Sequence, residues 1–369
     1  MKIHLGGCAV NKYLFAYVAT TTAAISLFAT ACGFEPSPAE PAKAIGQPIE
    51  IQVPVGLPPV SIPADNPITA DQVALGRRLY YDPNLSVDGT VACASCHQSD
   101  AGFGDPDQFS AGVGGQRGGR QAPTVLNAAY FNEQFWDGRS PSLEHQAEGP
   151  VQAGVEMANT LQGVEEYLSK EASYVEQFDK VYGPGPITYE KVAKAIGNFE
   201  RTVIAGNSLF DRWYYGKDED AVDDAAKRGF EIFKDPKKGN CEVCHSMQDN
   251  TAIFTDNKYH NLGVGVDDEG NLTDMGRYAV TKKDGDQGAF KTSTLRNVAL
   301  NAPYMHDGSL KTLKEVVDFY VGAGNSNDYR DKDLLELDHL TRKDRDDLES
   351  FLHALTGEIP PNTDAPSGD

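Results

Sequence analysis

Two five-residue segments, Cys93-Ala94-Ser95-Cys96-His97 and Cys241-Glu242-Val243-Cys244-His245, decide the architecture of this chain. In this spacing two cysteine thiols attach covalently to the vinyl groups of a haem, and the following histidine ligates its iron. A Cys-x-x-Cys pair alone also occurs in zinc sites and in redox disulfides. Because a histidine directly follows both pairs, the sequence predicts two haem c cofactors, with His97 and His245 as iron ligands.

Similar segments precede the two motifs. Residues 74–82 and 227–235 each contain a glycine followed by apolar residues at helical spacing, and each ends in an aspartate that precedes a proline. This pattern indicates a helix that stops before a loop. Because a haem motif follows each time, we interpret the two segments as an internal repeat, the opening of a cytochrome c domain written twice.

The rest of the chain favours helices. Helical periodicity predicts them over 161–180, 189–204, 313–320 and 342–355. Long glycine-rich loops leave little room for large sheets. We therefore predict a mostly α fold of two cytochrome c-like domains, residues 68–206 and 207–358. Each domain would carry one covalently bound haem c, and the two haems would face each other across the junction.

Both ends of the chain are predicted to lie outside these domains. Lys2 and Lys12 precede an apolar run that ends in small residues, so residues 1–31 are interpreted as a signal peptide. Lipidation of Cys32 is the alternative to simple secretion, and either places the protein in the periplasm, where c-type haem is attached. Nine prolines fall between residues 35 and 67, so 32–67 is predicted to be an extended linker. Residues 359–369 are predicted to be a disordered tail.

The charge limits the partners. With 33 basic and 54 acidic residues among 369, the formal net charge is −21. Such a surface repels nucleic acid, and it would steer a basic partner protein towards the molecule. Solubility is an equally simple explanation of the charge.

The chain resembles the bacterial di-haem cytochrome c peroxidases and their MauG-like relatives between about residues 68 and 358. Besides the haem motifs, the resemblance is carried by segments 122–127 (Ala-Pro-Thr-Val-Leu-Asn), 135–139 (Phe-Trp-Asp-Gly-Arg), 149–157, 290–297 and 302–308 (Ala-Pro-Tyr-Met-His-Asp-Gly). In that family the N-terminal haem reacts with hydrogen peroxide, and the C-terminal haem relays or stores electrons.

The resemblance implies roles for three further residues. Glu156 and Gln146 match the distal pocket, where a carboxylate can move a proton from the near to the far oxygen of peroxide. Trp136 matches an aromatic residue between the haems that assists electron transfer. The simpler alternatives are a solvated acid for Glu156, a surface glutamine for Gln146, and a residue that fills the junction for Trp136.

Two departures from the family pattern concern the remaining iron ligands. Conventional members cap the resting N-terminal haem with a loop histidine, where this chain has Val113. The first haem is therefore expected to rest open, unless His145 replaces the missing ligand. Conventional members bind the second iron with a methionine, where this chain has Tyr320, as MauG-like proteins do. Met305 and Met275 are the competing ligands, and a core position on an apolar stripe is the alternative role of Tyr320.

The family also implies one calcium ion between the domains. The corresponding residues here are Gln121, Asn301 and Pro303, and Gln121 stands where the family has asparagine.

Taken together, these residues favour an exported MauG-like peroxidase that draws oxidising equivalents from hydrogen peroxide and passes them to a partner protein side chain. The alternatives are a conventional peroxidase supplied by a small cytochrome or cupredoxin, and a non-catalytic di-haem electron carrier. Family members often form homodimers, so a homodimer is a further expectation.

Overall fold

The computed structural model describes residues 42–267 and 269–366. The predicted signal peptide and Cys32 therefore lie outside the described residues. Within them the chain is mainly helical, which confirms that prediction. The helices are α1 Ala70–Tyr80, α2 Cys93–Cys96, α3 Leu143–Gln152, α4 Leu161–Lys170, α5 Ala172–Tyr182, α6 Tyr189–Glu200, α7 Leu209–Tyr214, α8 Asp224–Lys234, α9 Tyr278–Thr281, α10 Leu313–Val321 and α11 Arg342–Ala354.

Strands are few. The one sheet in the described ranges pairs β1, Tyr259–His260, with β2, Phe290–Lys291, in antiparallel register. None of the helices in these ranges has the length and apolar character needed to cross a membrane.

The same helix crossing occurs twice. Helix α1 packs against α6 where Gly76 meets the carbonyl of Ala195, and α8 packs against α11 where Gly229 meets the carbonyl of Asp347. A Cβ atom at either glycine would collide with that carbonyl oxygen. The glycine helix of each crossing, α1 or α8, precedes a haem motif, and glycine allows the two helices to approach closely enough to bury their apolar faces.

Two separate hydrophobic clusters follow from these crossings. One is formed by residues between Leu75 and Ala205, and the other by residues between Phe210 and Leu355. The predicted domain boundary near residue 206 stays a prediction, because the described residues form one compact unit.

The prediction of an extended linker is wrong for residues 42–67, which pack onto the body. The amide of Ile45 donates to the Val181 carbonyl at 2.6 Å. The carbonyl of Gly56 accepts hydrogen bonds from the Ala252 amide and from Arg296, and Leu57 is buried. A proline-rich chain has few amide donors, but its carbonyls can satisfy donors of the folded body.

The predicted disordered tail is also wrong where it is described, over 359–366. Arg77 donates to the carbonyl of Asn362 at 2.7 Å, and the Tyr81 hydroxyl donates to that of Thr363 at 2.8 Å. The side chain of Thr363 is buried. The tail thus covers the last turn of α1, whose side chains supply the donors.

Two helix limits differ from the prediction. The helix expected over 161–180 breaks at Glu171, which has extended backbone angles and separates α4 from α5. The helix expected over 189–204 ends at Glu200. Beyond this residue the chain is held by Asn127. The Asn127 side chain accepts a hydrogen bond from the Ala205 amide, and the Asn127 backbone amide donates to the Val203 carbonyl. Long-range hydrogen bonds therefore replace the helical ones.

Candidate haem sites

The first haem motif forms the short helix α2 and ends at His97. The side chain of Ser95 accepts the amide hydrogen of Ala92 at 3.0 Å, which fixes the start of α2. The Tyr80 hydroxyl on α1 donates to the His97 carbonyl at 3.1 Å, which fixes its end. Burial raises the pKa of the Cys93 thiol and of the Cys96 thiol, so both favour the protonated form.

His97 has the properties of an iron ligand. Burial lowers the pKa of its imidazole, so the ring is neutral, as metal ligation requires. Its Nδ1 atom is buried and has no hydrogen-bond partner among the described residues. A buried polar nitrogen without a partner is unusual.

The second motif presents its histidine in one tautomer. His245 Nδ1 lies 3.0 Å from the carbonyl oxygen of Phe254. Because a carbonyl only accepts, Nδ1 carries the hydrogen and Nε2 keeps its lone pair for a metal. Burial also lowers the pKa of this imidazole.

A cavity of about 270 Å³ adjoins the second motif. Cys241, Cys244, His245 and Tyr320 all line it, together with apolar residues of α10 and α11. Burial raises the pKa of Cys241 to about 12. Burial thus favours the neutral thiol of Cys241 over its thiolate.

The surroundings of both motifs fit haem better than a bare metal ion. No group of three His, Cys, Asp or Glu side chains within residues 42–267 and 269–366 is arranged to hold a metal. Each motif instead offers two thiols and one neutral imidazole in an apolar setting, which is the set that covalent haem uses.

Tyr320 is a residue of the second cavity, and its ligation of the second iron stays a prediction. It projects from α10 into the cavity that His245 lines, and burial, then the thiols of Cys244 and Cys241, raise the pKa of its phenol. A phenolate would therefore form only beside a compensating cation such as ferric iron. Met305 also lines this cavity, whereas Met275 is not among the described residues that do so.

Glu156 is brought to the first motif. Its carboxylate raises the pKa of both Cys93 and Cys96, although neither effect is the largest at its thiol. Burial raises the pKa of Glu156 itself, and the charge of Arg139 opposes this. Gln146 is half-buried on α3, and its role in the distal pocket stays a prediction.

The loop that carries Val113 is fixed against the segment that carries Glu156. The amide of Val113 donates to the Glu156 carbonyl at 2.8 Å, and the Gln116 side chain donates to the Gly154 carbonyl at 3.2 Å. At Gly112 a Cβ atom would collide with the carbonyl of Val155. Val113 packs against the first hydrophobic cluster. The loop therefore lies against the backbone of residues 154–156, and the side chain of Val113 has no lone pair to offer iron.

His145 lies apart from that arrangement. Its side chain is exposed, and its Nδ1 atom is 2.6 Å from the hydroxyl of Ser140. The hydrogen bond with Ser140 leaves Nε2 of His145 free of that contact, so the replacement of the missing capping histidine by His145 stays an open alternative.

Trp136 is held where the segments of the two motifs meet. Its indole nitrogen donates to the Gln121 carbonyl at 2.8 Å, and its own carbonyl accepts the amide hydrogen of Lys291 at 2.8 Å. The indole lies edge-on to the His306 ring, with centroids 6.5 Å apart, and it lines the cavity of the second motif. These contacts hold the indole ring of Trp136 in this orientation.

The predicted calcium residues lie around the same cavity, but the side-chain amides of two of them already donate hydrogen bonds within the protein. Gln121, Asn301 and Pro303 all line the cavity of the second motif. The side-chain amide of Asn301 donates to the Gly102 carbonyl at 3.0 Å, and that of Gln121 donates weakly to the Asp105 carbonyl at 3.4 Å. Calcium at this place stays a prediction.

Two basic residues of the second cavity were not anticipated. His260 lies between Asp331 and Asp256, at 2.5 and 3.0 Å, and the pKa of its imidazole is raised to about 10, first by Cys244 and then by these carboxylates. Lys291 donates to the Glu133 carbonyl at 2.9 Å, and burial lowers its pKa to about 7. Asp331 is 71 residues from His260, so no local pattern could indicate the pair.

Comparison with known proteins agrees with these sites. Residues 70–219 match the family of di-haem cytochrome c peroxidases. The chain is 35% identical to the methylamine utilization protein MauG of Methylophilus methylotrophus, over 81% of this chain and 87% of that protein. It is 39% identical to the cytochrome c peroxidase Ccp of Escherichia coli, over 81% of this chain and 61% of that protein. A solved MauG-like protein associated with microbial copper homeostasis superposes with a TM-score of 0.77 at 29% identity, covering 85% of this chain and 98% of the other.

Proposed function

Because this chain belongs to the di-haem cytochrome c peroxidase family, as its haem motifs predicted, we propose that it is an exported peroxidase of the MauG-like kind. It would use hydrogen peroxide at the first site and withdraw electrons, through the second site, from a side chain of a partner protein. The family supports a haem-dependent peroxidase with haem c as cofactor. The loop at Val113 and the position of Tyr320 support the choice of the MauG-like branch.

Each motif provides the groups that would hold haem. Cys93 and Cys96, and likewise Cys241 and Cys244, would form the thioether bonds, while His97 and His245 would ligate iron. Bound haem supplies the redox-active iron at which peroxide is reduced. The protein supplies the thiols, the neutral imidazoles and the groups that move protons.

Proton movement is assigned to Glu156. Its pKa is raised and so lies closer to neutral pH than that of an ordinary carboxyl group. A group with such a pKa can both accept and return a proton. The carboxylate would take the proton from the near oxygen of peroxide, hold it on a carboxyl oxygen, and deliver it to the far oxygen, which leaves as water.

The observation that carries the choice of branch is the fixed loop at Val113. A capping histidine must be pulled away before peroxide can bind, whereas a valine cannot ligate iron at all. Because hydrogen bonds to Glu156 and Gly154 seat this loop, the site would be ready for peroxide without prior reduction. This also argues against a simple electron carrier, which keeps both irons six-coordinate.

Tyr320 supports the same choice. A phenolate oxygen favours ferric and higher oxidation states, whereas a methionine thioether favours the ferrous state. The second site would then share the oxidising equivalents instead of serving only as an electron relay. Trp136, fixed at the junction by two backbone hydrogen bonds, would lie on the route between the sites.

Mixing the fully oxidised protein with hydrogen peroxide tests this proposal. We expect the haem absorption spectrum to change in a single rapid step that needs no reductant, because Val113 leaves the first iron accessible. Stopped-flow spectroscopy measures this change, with protein reduced by one electron as the comparison. A reaction that starts only after one-electron reduction would reject the MauG-like assignment.

A conventional peroxidase remains the second candidate, since a surface with a net charge of −21 suits a basic electron donor. Steady-state turnover of peroxide with a reduced basic cytochrome c separates the two functions. Fast turnover that weakens as salt screens the surface charges would favour the conventional role. Negligible turnover would favour oxidation of a partner protein.

A further inference from the structure

Tyr259 lies where strand β1 meets the segment that carries Trp136, and the proposed reaction gives it no role. Its hydroxyl donates to the carboxylate of Glu133 at 2.5 Å. A Cβ atom at Gly138 would collide with this hydroxyl, so the phenol rests against the Gly138 backbone. Because Gly138 is two residues from Trp136, their Cα atoms are at most about 7.6 Å apart. The phenol therefore lies close to the residue placed on the route between the sites.

The short sheet makes a second connection to Trp136. Tyr259 of β1 is the register partner of Lys291 of β2, and the Lys291 amide donates to the Trp136 carbonyl at 2.8 Å. The Lys291 ammonium donates to the Glu133 carbonyl at 2.9 Å. Directly opposed side chains share one face of a sheet, and here both of them reach Glu133. The backbone of β2 thus joins Tyr259 to Trp136.

Arg277 holds the carboxylate beside the phenol. Its guanidinium carbon lies 4.2 Å from the centroid of the Tyr259 ring, and it pairs with Glu133 at 3.0 Å. It also donates to the carbonyls of Asp137 and Gly138 at 2.9 and 2.7 Å. These four contacts fix Glu133 in hydrogen-bond contact with the Tyr259 hydroxyl.

This arrangement suits a phenol that loses an electron and a proton together. An oxidised phenol is a strong acid, so it needs a proton acceptor within hydrogen-bond reach, whereas the electron can cross a longer distance. Glu133 is such an acceptor, and its side chain is 33% exposed, so it can pass the proton on to solvent. Burial and the hydrogen bond with Glu133 raise the pKa of Tyr259, so the phenol keeps its proton until it is oxidised.

We propose that Tyr259 gives one electron, by way of Trp136, to the sites oxidised by hydrogen peroxide, and gives its phenolic proton to Glu133. The O–H bond of Tyr259 breaks, the proton binds a carboxylate oxygen, and a neutral tyrosyl radical holds one of the two oxidising equivalents of peroxide. Tyr259 is partly exposed, so this equivalent reaches the surface, where a partner side chain can be oxidised. The inference rests on the peroxide reaction of the proposed function, but not on the MauG-like branch.

Freeze-quench electron paramagnetic resonance of the full-length holoprotein, mixed with hydrogen peroxide and no reductant, tests the inference. The wild type should show a neutral tyrosyl radical, and Tyr259→Phe should lose most of that signal. Glu133→Gln should slow the appearance of the radical by a factor of about 10² or more, because the proton acceptor is gone.

The matched control is Tyr167→Phe. Tyr167 is also partly exposed and also donates to a carboxylate, that of Asp82, at 3.0 Å, so its loss should leave the signal unchanged. A full tyrosyl signal in Tyr259→Phe would overturn the proposal. So would the absence of any tyrosyl signal in a wild type whose haem spectrum responds to peroxide.

The haem absorption of the same samples separates this inference from the proposed function. If the oxidised protein does not react with peroxide, the MauG-like assignment fails, and the same experiment on protein reduced by one electron decides the role of Tyr259. A tyrosyl radical there that is lost in Tyr259→Phe would support the inference. Its persistence in Tyr259→Phe, or its absence from the wild type, would reject it.

A second measurement covers the case in which Tyr259→Phe fails to load both haems. Wild-type holoprotein is treated with peroxide in the presence of the nitroxide TEMPO, which adds to tyrosyl radicals, and its peptides are analysed by mass spectrometry. We expect the adduct on Tyr259, whose ring is partly exposed. Adducts confined to other residues, or no adduct, would reject Tyr259 as the oxidised residue.

Discussion

Replacement of Glu156 by glutamine is expected to slow the reaction with hydrogen peroxide by a factor of about 10²–10⁴, the usual contribution of a positioned proton-transfer group. Glutamine keeps the shape of the side chain and still leaves the backbone carbonyl that accepts from Val113. It cannot take a proton from the near oxygen of peroxide. The second-order rate constant from stopped-flow absorption measures the loss.

The pH profile gives the same test a second readout. The pKa of Glu156 is raised by burial, and the carboxylate is the form that accepts the proton. The wild-type rate should therefore fall as pH drops through that pKa, and Glu156→Gln should lose this limb. Glu171→Gln removes an exposed acid and should leave rate and profile unchanged. A variant of Glu156 that reacts within about threefold of the wild type, with two haems bound, would contradict the assigned role.

Replacement of Asp211 by asparagine is expected to cost about 3–5 kcal/mol of the free energy of unfolding, because it leaves a buried guanidinium without its counter-charge. Asp211 and Arg296 are 0% and 1% exposed and lie 2.8 Å apart. Arg296 also donates to the carbonyls of Ala252 and Gly56. The pair therefore joins α7, the loop after the second haem motif and the N-terminal segment.

Urea denaturation of the holoprotein measures this loss as a lower midpoint at an unchanged slope. The matched control is Lys180→Met, which removes the exposed pair with Asp71, where the side chains are 65% and 51% exposed. That change should cost no more than about 1 kcal/mol. Equal midpoints for Asp211→Asn and the control would show that the buried pair does not hold this region together.

Features set by neighbouring residues could be predicted from the sequence. The haem motifs and the helix before each are local patterns, and the structure places the cysteines and histidine of the second motif around one cavity with Tyr320 of α10. The close approach at Gly76 and Gly229 repeats because the sequence itself repeats there.

Features that depend on distant partners could not be predicted. Residues 42–67 look like a linker by composition, yet their carbonyls satisfy donors such as Arg296, 240 residues further along the chain from Gly56. The hydrogen bond of His260 needs Asp331, 71 residues further along the chain. In each case the stabilising partner lies too far along the chain to be recognised from a local stretch of sequence.

Electron paramagnetic resonance of the resting, fully oxidised protein tests the central claim, which is that the two irons differ in their sixth ligand. We predict one high-spin ferric haem, open beside Val113, and one low-spin ferric haem with histidine and tyrosinate ligands. Tyr320→Met should change only the low-spin signal, and Met305→Leu should change neither. Two low-spin signals at rest, with histidine or methionine as the sixth ligand of both irons, would contradict the account.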